Sequence, residues 1–146
     1  MSKPTILIVD DEAIILLALK KELQNHFGGD FSYETALDAT EGNDLIELLC
    51  ERGVSIILII SDWLMPGIKG DEFLIGVHAR HPEIKTIMIS GQLDTQSVER
   101  AKKEAKLFAC IMKPWRNREL IGVVEACLER GIGHRDEDAG LPRPGG

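Results

Sequence analysis

The run Ile56-Ile57-Leu58-Ile59-Ile60 carries no polar side chain and ends in Ser61-Asp62. Consecutive β-branched and leucyl residues predict a strand buried on both faces, the environment of a parallel sheet covered by helices. A carboxylate cannot sit unpaired in such a core. Asp62 is therefore expected at the strand's carboxyl end, where open parallel sheets hold their ligands. Met65-Pro66-Gly67 then stops the strand and turns the chain.

Other apolar runs deliver polar chemistry in the same way. Residues 5–9 lead into Asp10-Asp11-Glu12, residues 86–89 into Ser90-Gly91, and residues 107–112 into Lys113-Pro114. In a parallel sheet these ends share one edge, so an acidic cluster, a single Asp, a hydroxyl and a lysine can converge. Helical periodicity fills the intervals. Helices are expected over 13–26, 41–52, 71–81, 95–105 and 118–130, with Asn117 as N-cap of the last. A further strand is expected over 31–36. Such alternation predicts an α/β fold, a doubly wound five-stranded parallel sheet with helices on both faces. The fourth helix offers only the small apolar residues Val98, Ala101 and Ala105, so it is expected to be loosely held. Residues 132–146 lose all periodicity and are expected to form a disordered tail or linker.

At 146 residues the chain suffices for one domain with a real core. A net charge of −7 argues against direct nucleic-acid binding, which needs a basic patch to displace counterions. Cys50, Cys110 and Cys127 form an odd set without paired spacing, which argues against a disulfide framework. Each falls in an apolar segment, so buried reduced thiols are expected. No signal peptide and no apolar run of membrane-spanning length is present, which implies no membrane insertion and a cytoplasmic location.

Taken together, Asp10-Asp11, Asp62 with Met65-Pro66-Gly67, Ser90-Gly91 and Lys113-Pro114 resemble the receiver domain of two-component response regulators. The resemblance covers residues 3–131. It implies a flavodoxin-like fold with strand order 2-1-3-4-5. It also implies a signalling module that catalyses only its own phosphorylation and dephosphorylation and is no enzyme with a separate substrate. Asp62 would be the phosphoacceptor. Mg²⁺, with Mn²⁺ as the alternative, would be bound by Asp11, Asp62 and the Leu64 backbone carbonyl, and by Asp10 through a water. Lys113 would face a phosphoryl oxygen and Ser90 would hydrogen-bond the acyl phosphate. The phosphodonor would be a sensor histidine kinase or a phosphotransfer protein. The fourth helix, fifth strand and fifth helix would signal to a downstream protein or attached effector domain, or support a homodimer.

The sequence also departs from that family. Receivers usually carry Tyr or Phe three residues before the lysine, and here that position is Cys110. Phe108 is a candidate substitute, read as lying on the same strand face. Leu64 and Gln92 would border the path of hydrolytic water and tune the phosphoryl lifetime. The alternative is a receiver-like protein-binding module that works without phosphorylation. An Asp-nucleophile phosphatase would need a second acid at Leu64. A flavin binder would need a phosphate-cradling loop where Asp10-Asp11-Glu12 stands.

Overall fold

A computed structural model of the protein describes residues 3–92 and 94–132. Five strands, β1 (Thr5–Val9), β2 (Ser32–Ala36), β3 (Ile56–Asp62), β4 (Lys85–Ser90) and β5 (Ala109–Met112), pair in parallel in the order β2-β1-β3-β4-β5. The helices are α1 (Ala13–Phe27), α2 (Ala39–Glu51), α3 (Gly70–Arg80), α4 (Thr95–Glu104) and α5 (Asn117–Ile132). The tail expected over 132–146 lies, apart from Ile132, outside the described residues. Among the described residues no helix is long and apolar enough to cross a membrane.

Side-chain alternation along the strands divides the core into two layers. Leu7, Val9, Ile59 and Met88 face α2, α3 and α4, meeting Ile46, Phe73, Leu74, Val77 and Ala101. Ile6, Ile8, Leu58, Ile60, Ile87 and Ile89 face α1 and α5, meeting Leu19, Leu23, Leu120, Val124 and Cys127. Each such fully buried aliphatic side chain contributes about 1.5–3 kcal/mol. The apolar run of β3 is thus divided between both layers, which is why it shows no polar face. α4 fastens itself lightly, with Ala101 its one buried residue among those described.

Several local expectations need correction. α2 begins before residue 41, because the Asp38 carboxylate accepts the Glu41 N–H at 2.8 Å and caps the helix. Asn117 is the first residue of α5 rather than its cap, and its side-chain Nδ2 donates to Glu22 Oε1 at 3.0 Å. Phe108 does not share a face with Cys110. β5 starts only at Ala109, so Phe108 lies ahead of the strand and outside its alternation. Phe108 packs into the α1/α5 layer and Cys110 against the opposite one. Cys127 is buried and Cys110 half-buried, but Cys50 is exposed, on the solvent side of α2.

Gly70 sets how the chain leaves β3. Its N–H donates to the Trp63 carbonyl at 2.7 Å, folding the 63–69 connection back on the strand end. A Cβ at this position would lie 2.0 Å from the Asp62 carbonyl oxygen and 2.8 Å from Trp63 Cα. Both obstacles are backbone, so something rigid would have to move. Gly70→Ala is expected to destabilise the domain by about 1–3 kcal/mol in urea unfolding. Gly122→Ala on α5 meets nothing within 4 Å and is expected to stabilise it by about 0.5–1 kcal/mol. Equal effects from the two would show that the close approach at Gly70 carries no cost.

Candidate functional site

The carboxyl ends of β1, β3, β4 and β5 converge at one edge of the sheet. Val9 is in register with Ser61, and Asp62 with Ile89, so Asp10 and Asp62 emerge side by side. Both are nearly inaccessible, at 1% and 6% relative exposure, while Asp11 is exposed. Asp10 is braced from its own chain, since Oδ1 accepts the Glu12 N–H at 2.9 Å. The Lys113 backbone N–H donates to the Ser90 carbonyl at 2.8 Å, fixing the base of the lysine. Its Nζ reaches Asp10 Oδ2 at 3.1 Å, Asp62 Oδ1 at 3.2 Å and Glu12 Oε1 at 3.7 Å.

The electrostatics follow from this crowding. Burial, reinforced by the charges of Asp10 and Asp11 and opposed by Lys113, pushes the Asp62 carboxyl up to about 6. Burial also raises Asp10, against the Glu12 N–H and Lys113. Burial works against the Lys113 ammonium, yet the hydrogen bonds and charges of Asp10 and Asp62 hold its pKa above the ordinary value. One ammonium therefore stands against several carboxylates. One oxygen from each of Asp10, Asp11 and Asp62 can lie within 4.8 Å of the others. Hard carboxylate oxygens short of positive charge suit a divalent cation, and this donor set fits one.

The remaining expected residues surround this cluster. Ser90 is buried, and its Oγ accepts the Gln92 N–H at 3.0 Å and donates to the Gln92 carbonyl. The hydroxyl is thus engaged with its own loop. Leu64 lies two residues beyond Asp62 with an exposed side chain, and Gln92 is also exposed. Cys110 lies one strand-face below, half-buried, its thiol pushed up by burial and drawn down by Lys102 of α4. Trp63 is buried, and its Nε1 donates to Asp71 Oδ1 at 3.2 Å. Asp71 in turn pairs with Arg100 of α4 at 3.9 Å. Trp115 Nε1 donates to Glu22 of α1.

Sequence reasoning passed over Gly70, Asp71, Arg100 and Glu22. Gly70 had a readable signal, a glycine at a predicted helix start just after a functional strand end. Asp71 reads as an acid favouring a helix N-terminus. Arg100 and Glu22 read as solvated helix faces, because their partners are distant in sequence.

The family model described as "Response regulator receiver domain" matches residues 6–125. The chain is similar to the hydrogenase transcriptional regulatory protein HoxA of Cupriavidus necator, with 36% identity over 125 residues, 86% of this chain and 24% of that protein. It is 29% identical over 126 residues to the sensor kinase CckA of Brucella abortus, covering 86% of this chain and 13% of that one. The chain thus spans a quarter or less of these relatives' length. Among solved structures, a CheY-like response regulator receiver domain protein from Methanospirillum hungatei superposes with TM-score 0.78 at 31% identity, covering 90% of this chain and 98% of that one.

The raised carboxyls have a consequence for stability without metal. Asp62 titrates higher folded, at about 6, than its ordinary 3.8. Its contribution is therefore fully present below the unfolded value and is lost as pH rises through the folded one. Asp62→Asn removes that loss. With chelator present it is expected to stabilise the domain by about 1–3 kcal/mol near neutral pH, and by little near pH 4. Urea unfolding at both pH values checks this; a destabilised Asn variant at neutral pH would contradict it.

Proposed function

The chain belongs to the response regulator receiver domain family, and on that premise we propose that it is the phosphoacceptor module of a His-to-Asp phosphorelay, with Asp62 receiving the phosphoryl group. The observation that carries this reading is the Lys113 ammonium held within 3.1–3.2 Å of both Asp10 and Asp62 beside an acidic cluster. A bare carboxylate is a weak nucleophile toward an anionic phosphoryl group, so positive charge must be concentrated there. Mg²⁺, or Mn²⁺, would be held by Asp11, Asp62 and the Leu64 backbone carbonyl, with Asp10 acting through a water. That ion supplies the charge neutralisation which one lysine does not complete.

The chain's own residues supply the rest. Asp62 contributes the attacking oxygen, the donor's P–N or P–O bond breaks, and a mixed anhydride remains on the protein. Lys113 aims its ammonium at a phosphoryl oxygen as a point charge. Ser90 would exchange its bonds with Gln92 for one to the acyl phosphate. Cys110 lacks the volume of an aromatic ring, so the movement that reports this exchange runs through other contacts. α4 is the element most easily shifted, since it is anchored by a small residue. The surface of α4, β5 and α5 would then control a downstream protein or attached effector, or form a homodimer.

The domain proposed here spans residues 3–131. Its phosphodonor would be a sensor histidine kinase or a phosphotransfer protein. Free cysteines and the net charge of −7 favour a reducing, cytoplasmic setting without direct nucleic-acid binding. The reading of a phosphorylation-independent binding module is favoured by one observation, Cys110 at the position where receivers carry an aromatic ring.

Incubation with Mg²⁺ and acetyl phosphate is expected to add about 80 Da to the wild type and nothing to Asp62→Asn by intact mass. No gain with acetyl phosphate or with a phosphohistidine donor would contradict the phosphoacceptor reading. An apolar Leu64 orders a hydrolytic water poorly. Leu64→Asn is therefore expected to shorten the lifetime of the phosphorylated form several-fold, about 1 kcal/mol in barrier. An unchanged or longer lifetime would rule out that role for Leu64.

A further inference from the structure

Lys113 can serve only if its ammonium stays at the carboxylates, yet the chain that follows it has sparse main-chain support. The Lys113 N–H bonds the Ser90 carbonyl at 2.8 Å, and α5 opens with the Leu120 N–H on the Arg116 carbonyl at 3.0 Å. Pro114, between them, has no N–H to give. A cleft of about 370 Å³ lies beside this stretch, lined by Ile15, Glu22, Lys113, Pro114 and Trp115. Packing therefore does not fill the space next to the lysine stem.

Hydrogen bonds to one carboxylate cross that cleft. Trp115 Nε1 donates to Glu22 Oε1 at 3.1 Å and to Oε2 at 3.3 Å. Asn117 Nδ2 donates to the same Oε1 at 3.0 Å. Bonds to an ionised acceptor are shorter and stronger than neutral ones. Glu22 itself stands on a firm base, since its helix neighbours Leu19 and Leu23 are buried in the α1/α5 layer.

We propose that Glu22 is a positioning residue for Lys113. Through Trp115 and Asn117 it ties the β5–α5 connection to α1 and fixes the aim of the ammonium. Glu22 touches none of the reacting groups. This inference rests on the phosphoacceptor reading of Asp62. It differs from a general stabilising contact in what it leaves in place: the metal donors sit on other strands and keep their positions without the clamp, and an ammonium drawn away from Asp10 and Asp62 removes a competing cation, so Mg²⁺ affinity does not fall.

The test compares wild type, Glu22→Ala, Glu22→Gln and Trp115→Phe in the rate of phosphorylation by acetyl phosphate at saturating Mg²⁺, and in Mg²⁺ affinity by calorimetry. A small donor has no docking surface, so a lost protein–protein contact cannot imitate the effect. Glu22→Ala and Trp115→Phe are expected to slow phosphorylation about tenfold. Their Mg²⁺ affinities are expected to equal or exceed that of wild type, because a mispositioned ammonium competes less for Asp10 and Asp62. Glu22→Gln is expected to restore most of the rate, because its amide oxygen can accept both donors. The clamp is overturned if Glu22→Ala reacts at the wild-type rate, if Glu22→Gln is as slow as Glu22→Ala, or if Mg²⁺ affinity falls in step with rate. Should Glu22→Ala fail to fold, Trp115→Phe alone decides. A wild type that takes no phosphoryl group removes the phosphoacceptor reading and the clamp together; a phosphorylated wild type with unaffected variants removes only the clamp.

Discussion

The Lys113 ammonium, set between the buried carboxylates of Asp10 and Asp62, is the interaction on which the rest of the sheet edge depends. Burying one carboxylate costs several kcal/mol after relaxation, and burying two side by side costs more. One ammonium meets part of that cost and leaves the edge short of positive charge. Burial, only partly offset by Lys113, raises the Asp62 and Asp10 carboxyls. The shortage of positive charge makes the site receptive to a divalent cation, and it identifies the edge as a place arranged for something other than stability.

Most of the fold was legible because its causes are local and repeated. The five β3 residues before Ser61 announced a covered parallel strand, and alternation with amphipathic helices followed. The positions of Asp10, Asp62, Ser90 and Lys113 were legible for the same reason, since each terminates an apolar run and parallel strands end together. The strand order was not readable from alternation and came through family resemblance. Helix starts were misjudged where side chains decide them, as with the Asp38 cap. Phe108 was placed on the wrong face because strand periodicity was extended to a residue that lies ahead of β5, which starts only at Ala109.

The contacts that hold the site in aim were not legible at all. Glu22 pairs with residues more than ninety positions away, and Asp71, on α3, joins Trp63 of the β3–α3 connection to Arg100 of α4. Each reads in sequence as an ordinary solvated charge. The two networks also divide the edge between them. Glu22 bonds the lysine side of the edge from α1, while Asp71 links Trp63, the neighbour of Asp62, to the lightly fastened α4.

The most direct test of the charge deficit is calorimetric titration of Mg²⁺ into the metal-free protein near pH 7 and near pH 5. Saturable binding of one ion per chain is expected near neutrality. Protonation of a carboxyl at about 6 should weaken it about tenfold at the lower pH. No saturable binding near neutrality, or an affinity indifferent to pH, would contradict the claim that these buried carboxylates form a cation site.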